Sequence, residues 1–153
     1  MRHLARILAA YAELDAALEQ ERSRAANSVQ IEERQILNDQ AYFLLCWGQL
    51  ENEINVSCRE AIRRRRSDLD WHVRRGWDLY NPEEPRLSGL SFENRVKLVL
   101  DARAGRGSPL ARAMAHYEMR NRVAYGQLET RRVNVAAIVA EFHLVQAALH
   151  RSA

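Results

Sequence analysis

Apolar residues recur at intervals of three and four almost from the start of the chain. Leu4, Ile7, Leu8, Tyr11, Leu14 and Leu18 share one face at that spacing, which predicts an amphipathic first helix. Asn27 and Ser28 interrupt the pattern. It resumes at about Val29 and holds to Arg66, where Phe43, Trp47, Leu50, Ile54 and Ala61 form one stripe. This long stretch is expected to kink near Asn38 and Asp39. Ser67, with Asp70 three residues on, reads as a capping pair and predicts a short helix over Leu69 to Tyr80. "NPEEPRLSG", from Asn81 to Gly89, has two prolines, a glycine and no periodicity, so it is expected to be a loop. Ser91 is the expected cap of a helix over "SFENRVKLVLDA". "GRGSP" is a turn in which Ser108 caps and Pro109 opens the next helix. That helix runs to about Tyr125, with Gly126 as its C-cap. A last helix places Val135, Ile138, Val139, Phe142, Val145 and Leu149 on one face. No segment shows a strand pattern and no repeat is present. The expected fold is all-α: an antiparallel bundle of four main helices with short extra helices, a single domain over residues 1–153.

Composition supports that class. A chain of 153 residues with 47% hydrophobic content can bury a core, and only six glycines and three prolines interrupt it. The net charge of +3 permits contact with nucleic acid without requiring it. Lys97 is the only lysine, so the basic charge is almost all arginine. A guanidinium can engage two phosphate oxygens at once. Cys46 and Cys58 lie on one predicted helix, roughly 18 Å apart at the helical rise per residue, too far to bridge. No Cys/His cluster has the spacing of a zinc site, so neither metal nor cofactor is expected. No run of 18 apolar residues occurs, and Glu13, Asp15 and Glu19 come too early for a signal peptide. The expectation is a cytoplasmic protein with no membrane contact.

One stretch stands apart from the apolar pattern. "MRNRVAYG", Met119 to Gly126, places Arg120, Asn121 and Arg122 together just before a helix stop. The end of a helix frees backbone groups and gives side chains room to turn into a cleft. "RNRVAYG" resembles the motif of the HEPN family, an Arg often followed by Asn, then a His four to six residues on, near the end of a late helix. Arg120, Asn121 and Gly126 match; Tyr125 stands where the family has His. "LSFENRVKLVLDA" and "AYFLLCWGQLENEINVSCREAI" also resemble HEPN helices, so the likeness covers roughly residues 40 to 150. The resemblance implies a HEPN-like bundle. It also implies a metal-independent endoribonuclease of a toxin–antitoxin or phage-defence system, acting on RNA as a homodimer with two motifs in one cleft. Other members are noncatalytic: they bind nucleotide or RNA, or partner a nucleotidyltransferase. An antitoxin is the other partner that the resemblance implies. Carried over, Arg120 would hold the scissile phosphate, Asn121 would orient that phosphate or the motif side chains, and Tyr125 occupies the position of proton transfer.

Tyrosine changes the chemistry. A phenol of pKa near 10 is roughly 0.1% ionised at pH 7, whereas an imidazole can give or take a proton there. Loss of general acid–base catalysis is typically worth about 10²–10⁴-fold. The chain therefore reads as a natural pseudo-nuclease, a nuclease with rearranged chemistry, or an inactivated variant. Arg122 would add a phosphate contact. His116, one turn before Arg120, would supply an imidazole; a lone helical His also reads as a partly exposed polar residue. Glu51 and Asn55, four apart on one stripe, would line an RNA cleft, or simply make an interhelical hydrogen bond. Arg63 to Arg66, with Arg59, Arg74 and Arg75, would track RNA phosphates or form a solvated helix end. Trp71, Trp77 and Tyr80 would stack bases or pack a short helix.

Overall fold

Helix starts in this chain are set by short polar side chains. Ser91 Oγ accepts from the Asn94 amide at 3.2 Å, and Ser108 Oγ accepts from the Ala111 amide at 3.1 Å, with Pro109 as the first helical residue. Asn27, whose Oδ1 accepts from the Val29 amide at 3.1 Å, opens the second helix rather than only ending the first. The computed structural model describes residues 1–84, 87 and 89–152. The helices are α1 (Leu4–Arg24), α2 (Val29–Arg66), α3 (Trp71–Arg74), α4 (Phe92–Val99), α5 (Pro109–Ala124) and α6 (Val135–Ser152). No strand occurs among the described residues. The protein is all-α.

α2 runs as one helix through Asn38 and Asp39. Two expectations need correcting. First, the segment Leu69 to Tyr80 is not one helix. Asp70, not Ser67, is the cap, accepting from the His72 amide at 2.8 Å, and α3 is only four residues long. Ser67 Oγ instead donates to the Arg63 carbonyl at 3.0 Å and closes α2. Beyond α3 the chain continues in turns, with the Trp77 amide on the Arg74 carbonyl and the Tyr80 amide on the Trp77 carbonyl. The physical reason is weak packing: Leu69 is 97% exposed and Leu79 82%, and no residue from Leu69 to Tyr80 is fully buried. Without tertiary packing a short helix does not hold. Second, α4 stops at Val99. Leu100 turns to extended backbone and is buried, and Asp101 Oδ1 accepts from the Arg103 amide at 2.8 Å, which favours a turn over helix.

The chain forms two compact units: Met1–Leu50 with Ala115–Phe142, and Glu51–Met114 with His143–Ala153. The core of the first centres on Phe43, Trp47 and Phe142, all essentially without exposed surface. Trp47 meets Phe142 edge-on and Tyr117 at a tilt, each with ring centroids 6.1 Å apart. In the second, Ile54, Cys58 and Ile62 of α2 are fully buried, as are Val96 of α4 and Val145 of α6. Cys58 and Ile62 therefore continue the α2 stripe, and Ala61 is only partly buried.

Candidate functional site at the end of α5

Helix α5 ends in a Schellman turn. The Gly126 amide donates to the Val123 carbonyl at 3.1 Å, the Gln127 amide donates to the Arg122 carbonyl at 2.8 Å, and Gly126 sits at φ 81°. Tyr125 is the residue immediately before that left-handed glycine, and it is 82% exposed. One turn earlier, Arg120 Nη1 donates to Asn121 Oδ1 at 3.0 Å, so the two polar residues of the motif lie side by side and partly buried. Arg122 is exposed and pairs with Glu129 at 3.0 Å.

The connection that follows is fastened from below. Asp39 has no exposed surface and accepts four hydrogen bonds. They come from Tyr11 Oη at 2.9 Å, Arg132 Nε at 2.6 Å, Arg132 Nη2 at 3.0 Å and the Val133 amide at 2.9 Å. Arg132 Nη2 also reaches Asp15 at 2.5 Å. The next residue of α2, Gln40, accepts from the Glu129 amide at 2.9 Å and donates to the Glu129 carbonyl at 3.3 Å. Burial, then the bond to Asp39, pushes the Tyr11 phenol up to about 12. The bond to Asp39 raises the Arg132 guanidinium further above its ordinary value. Sequence reading missed this cluster. The signal was available: Asp39 lies four residues before Phe43, on the buried stripe of α2, and a charge at such a position requires partners.

His116 belongs to the same unit, but its imidazole is engaged. Nε2 lies 2.9 Å from Glu141 Oε2, the side chain is 12% exposed, and the ring stands edge-on to Phe142 at 5.1 Å. Glu51 and Asn55 belong to the other unit, where both turn to Arg95 of α4. Arg95 Nη1 donates to Asn55 Oδ1 at 2.5 Å, and Nη2 lies 3.7 Å from Glu51. The Arg95 guanidinium also sits over the Phe92 ring at 5.6 Å, and its Nε is buried with no hydrogen-bond partner among the described residues. Arg95 went unnoticed in the sequence because an arginine on a short helix carries no motif.

The α5 terminus carries two guanidinium groups, an amide and a phenol, with Arg120 bonded to Asn121 and Arg122 paired with Glu129. It can bind an anion and donate hydrogen bonds to it. Phenols as a class serve acid–base catalysis at neutral pH less well than imidazoles. Among the described residues no group of three or more His, Cys, Asp or Glu is placed to hold a metal ion, and no helix is long and apolar enough to cross a membrane. Cys46 and Cys58 are free and buried, and burial pushes each thiol up to about 11. No family model, curated protein or solved structure matches this chain.

Proposed function

We propose that this chain is a HEPN-like RNA-acting protein. In this reading it is a metal-independent endoribonuclease scaffold with an altered motif, working in a toxin–antitoxin or phage-defence setting. The observation that carries the reading is the end of α5, where Arg120 and Asn121 are hydrogen-bonded neighbours and Tyr125 projects from the final turn. Arg120 holds the phosphodiester and stabilises the charge that develops on it. Asn121 orients that guanidinium through the contact already present. Arg122 supplies a second cation at the rim. Tyr125 donates a hydrogen bond and contributes little proton transfer.

The test replaces the phenol with an imidazole. Tyr125→His is expected to cleave single-stranded RNA in EDTA and to leave 2′,3′-cyclic phosphate ends, with activity at least about 10²-fold above the parent chain. Arg120→Ala in that background is expected to abolish cleavage. A folded Tyr125→His protein that cleaves no RNA ends the nuclease reading.

A second reading, a noncatalytic subunit that docks on another protein, has one observation in its favour. Leu37 and Leu128, both about half exposed, line one shallow groove together with Ile36, in the unit that carries Tyr125. Unchanged RNA affinity in Arg120→Ala, together with a stable co-purifying partner, would support it.

A further inference from the structure

We infer that Glu129 is an internal competitor at the α5 terminus: a carboxylate of this chain that occupies Arg122 and has to be displaced before Arg122 can meet a phosphate. This role rests on the reading of that terminus as a phosphate site. Glu129 sets affinity there without touching the reacting atoms, as a positioning residue that acts through Arg122.

The two arginines of the motif are held differently. Arg120 is bonded to the neutral side chain of Asn121 at 3.0 Å and keeps its charge. Arg122 is bonded at the same distance to a carboxylate, so the Arg122–Glu129 pair is electrically neutral. The partners are seven positions apart, and two features bring them together. The Schellman turn folds the chain back on α5, with the Gln127 amide on the Arg122 carbonyl at 2.8 Å. Gln40, only 2% exposed, then holds the Glu129 backbone at its amide and at its carbonyl. A further bond from Gln40 Nε2 to the Ile36 carbonyl, at 3.1 Å, fixes Gln40 on α2. Glu129 therefore meets Arg122 from an anchored backbone, which lowers the ordering cost of the pair.

The anchoring also separates the role of this side chain from a structural one. The bonds between Gln40 and Glu129 use the Glu129 backbone, so they survive a change of its side chain. The Arg122 and Glu129 side chains are 49% and 35% exposed, and water screens the pair. A buried pair would withdraw Arg122 from any ligand, whereas an exposed one only raises the threshold for exchange. Arg122 gives Glu129 a hydrogen bond from Nη2, and a phosphate can take two from one guanidinium. Exchange is therefore open to a phosphate and opposed by a carboxylate already in place.

Two probes test this on the full chain: a short single-stranded RNA, and tripolyphosphate, an anion with neither base nor sugar. Glu129→Gln is expected to tighten both by about two- to fivefold, the range an exposed ion pair supplies. Arg122 then becomes a net cation, so the log–log salt dependence of RNA binding should steepen by about 0.7. Glu33→Gln is the control. Glu33 lines the same shallow groove as Glu129 and carries the same charge, but it is not bonded to Arg122. Its loss should leave affinity and salt slope unchanged. In an Arg122→Ala background, Glu129→Gln should change neither quantity. Circular dichroism checks that each variant is folded; if Glu129→Gln is not, Glu129→Ala carries the same expectations. RNA binding that needs Arg120 but ignores Glu129→Gln overturns the inference and leaves the RNA reading standing. A gain for tripolyphosphate with no RNA binding sustains the inference and ends the RNA reading. An equal gain from Glu33→Gln, or a gain that persists without Arg122, overturns the inference by assigning the effect to net charge. So does the absence of binding of either probe, at millimolar concentration, to parent and variant alike.

Discussion

Asp39 carries the largest electrostatic commitment among the described residues, since a fully buried carboxylate is held by four donors from α1 and the connection before α6. Removing its cationic partner leaves that charge with only the Tyr11 hydroxyl and the Val133 amide as donors. Arg132→Ala is therefore expected to cost about 3–5 kcal/mol in urea denaturation. Arg132→Lys keeps the charge but not the two-pronged geometry and should fall between Ala and the parent chain. A loss under about 1 kcal/mol for Arg132→Ala would mean that water replaces the guanidinium. Tyr11 adds a pH dependence whose sign is fixed. Folding raises its pKa to about 12, so the folded chain keeps a proton that the unfolded chain releases from about pH 10 upward. This contribution to stability is complete below pH 10 and is lost as pH rises through 12. Tyr11→Phe should remove that alkaline decline, measured as melting temperature against pH, and an unchanged decline would assign it elsewhere.

Elements were legible in the sequence wherever a capping residue preceded a buried stripe. Ser91, Ser108 and Gly126 all act at the helix ends to which their spacing assigned them. The segment after Arg66 was not legible. Its cap lies at Asp70, three residues after Ser67, because the amide and the hydroxyl of Ser67 are both taken by the Arg63 carbonyl at the end of α2. The α5 terminus was readable as a helix end, whereas the fastening beneath it was not. Asp39 and Gln40 meet residues about ninety positions away, and no local pattern encodes such a pairing. The Schellman turn yields a prediction at this scale. A methyl group at Gly126 would meet nothing within 4 Å, so the cost of Gly126→Ala is conformational alone, about 1–2 kcal/mol. Gly126→Asn should lose less, since Asn tolerates left-handed backbone better. Equal losses in thermal denaturation would show that the turn does not depend on φ at this position.

For the molecule as a whole, the proposed chemistry needs two copies, because HEPN-type clefts join motifs across a two-fold axis. Light scattering is expected to give a dimer at micromolar concentration, and a monomer at high micromolar concentration would count against the RNA reading. Within the unit that holds the motif, the clamp on the segment after α5 also bears on the order of folding. The Asp39–Arg132 contact spans 93 residues and the Gln40–Glu129 contact 89, whereas each helix closes over a few. Loops that large close late, after local structure has formed. An interaction absent from the transition state changes the rate of leaving the native state, not the rate of reaching it. Arg132→Ala should consequently steepen the loss of native protein with time while leaving the refolding limb of a chevron almost where it was. The buried carboxylate would then act as a latch on lifetime: it sets how long the end of α5 stays assembled once made.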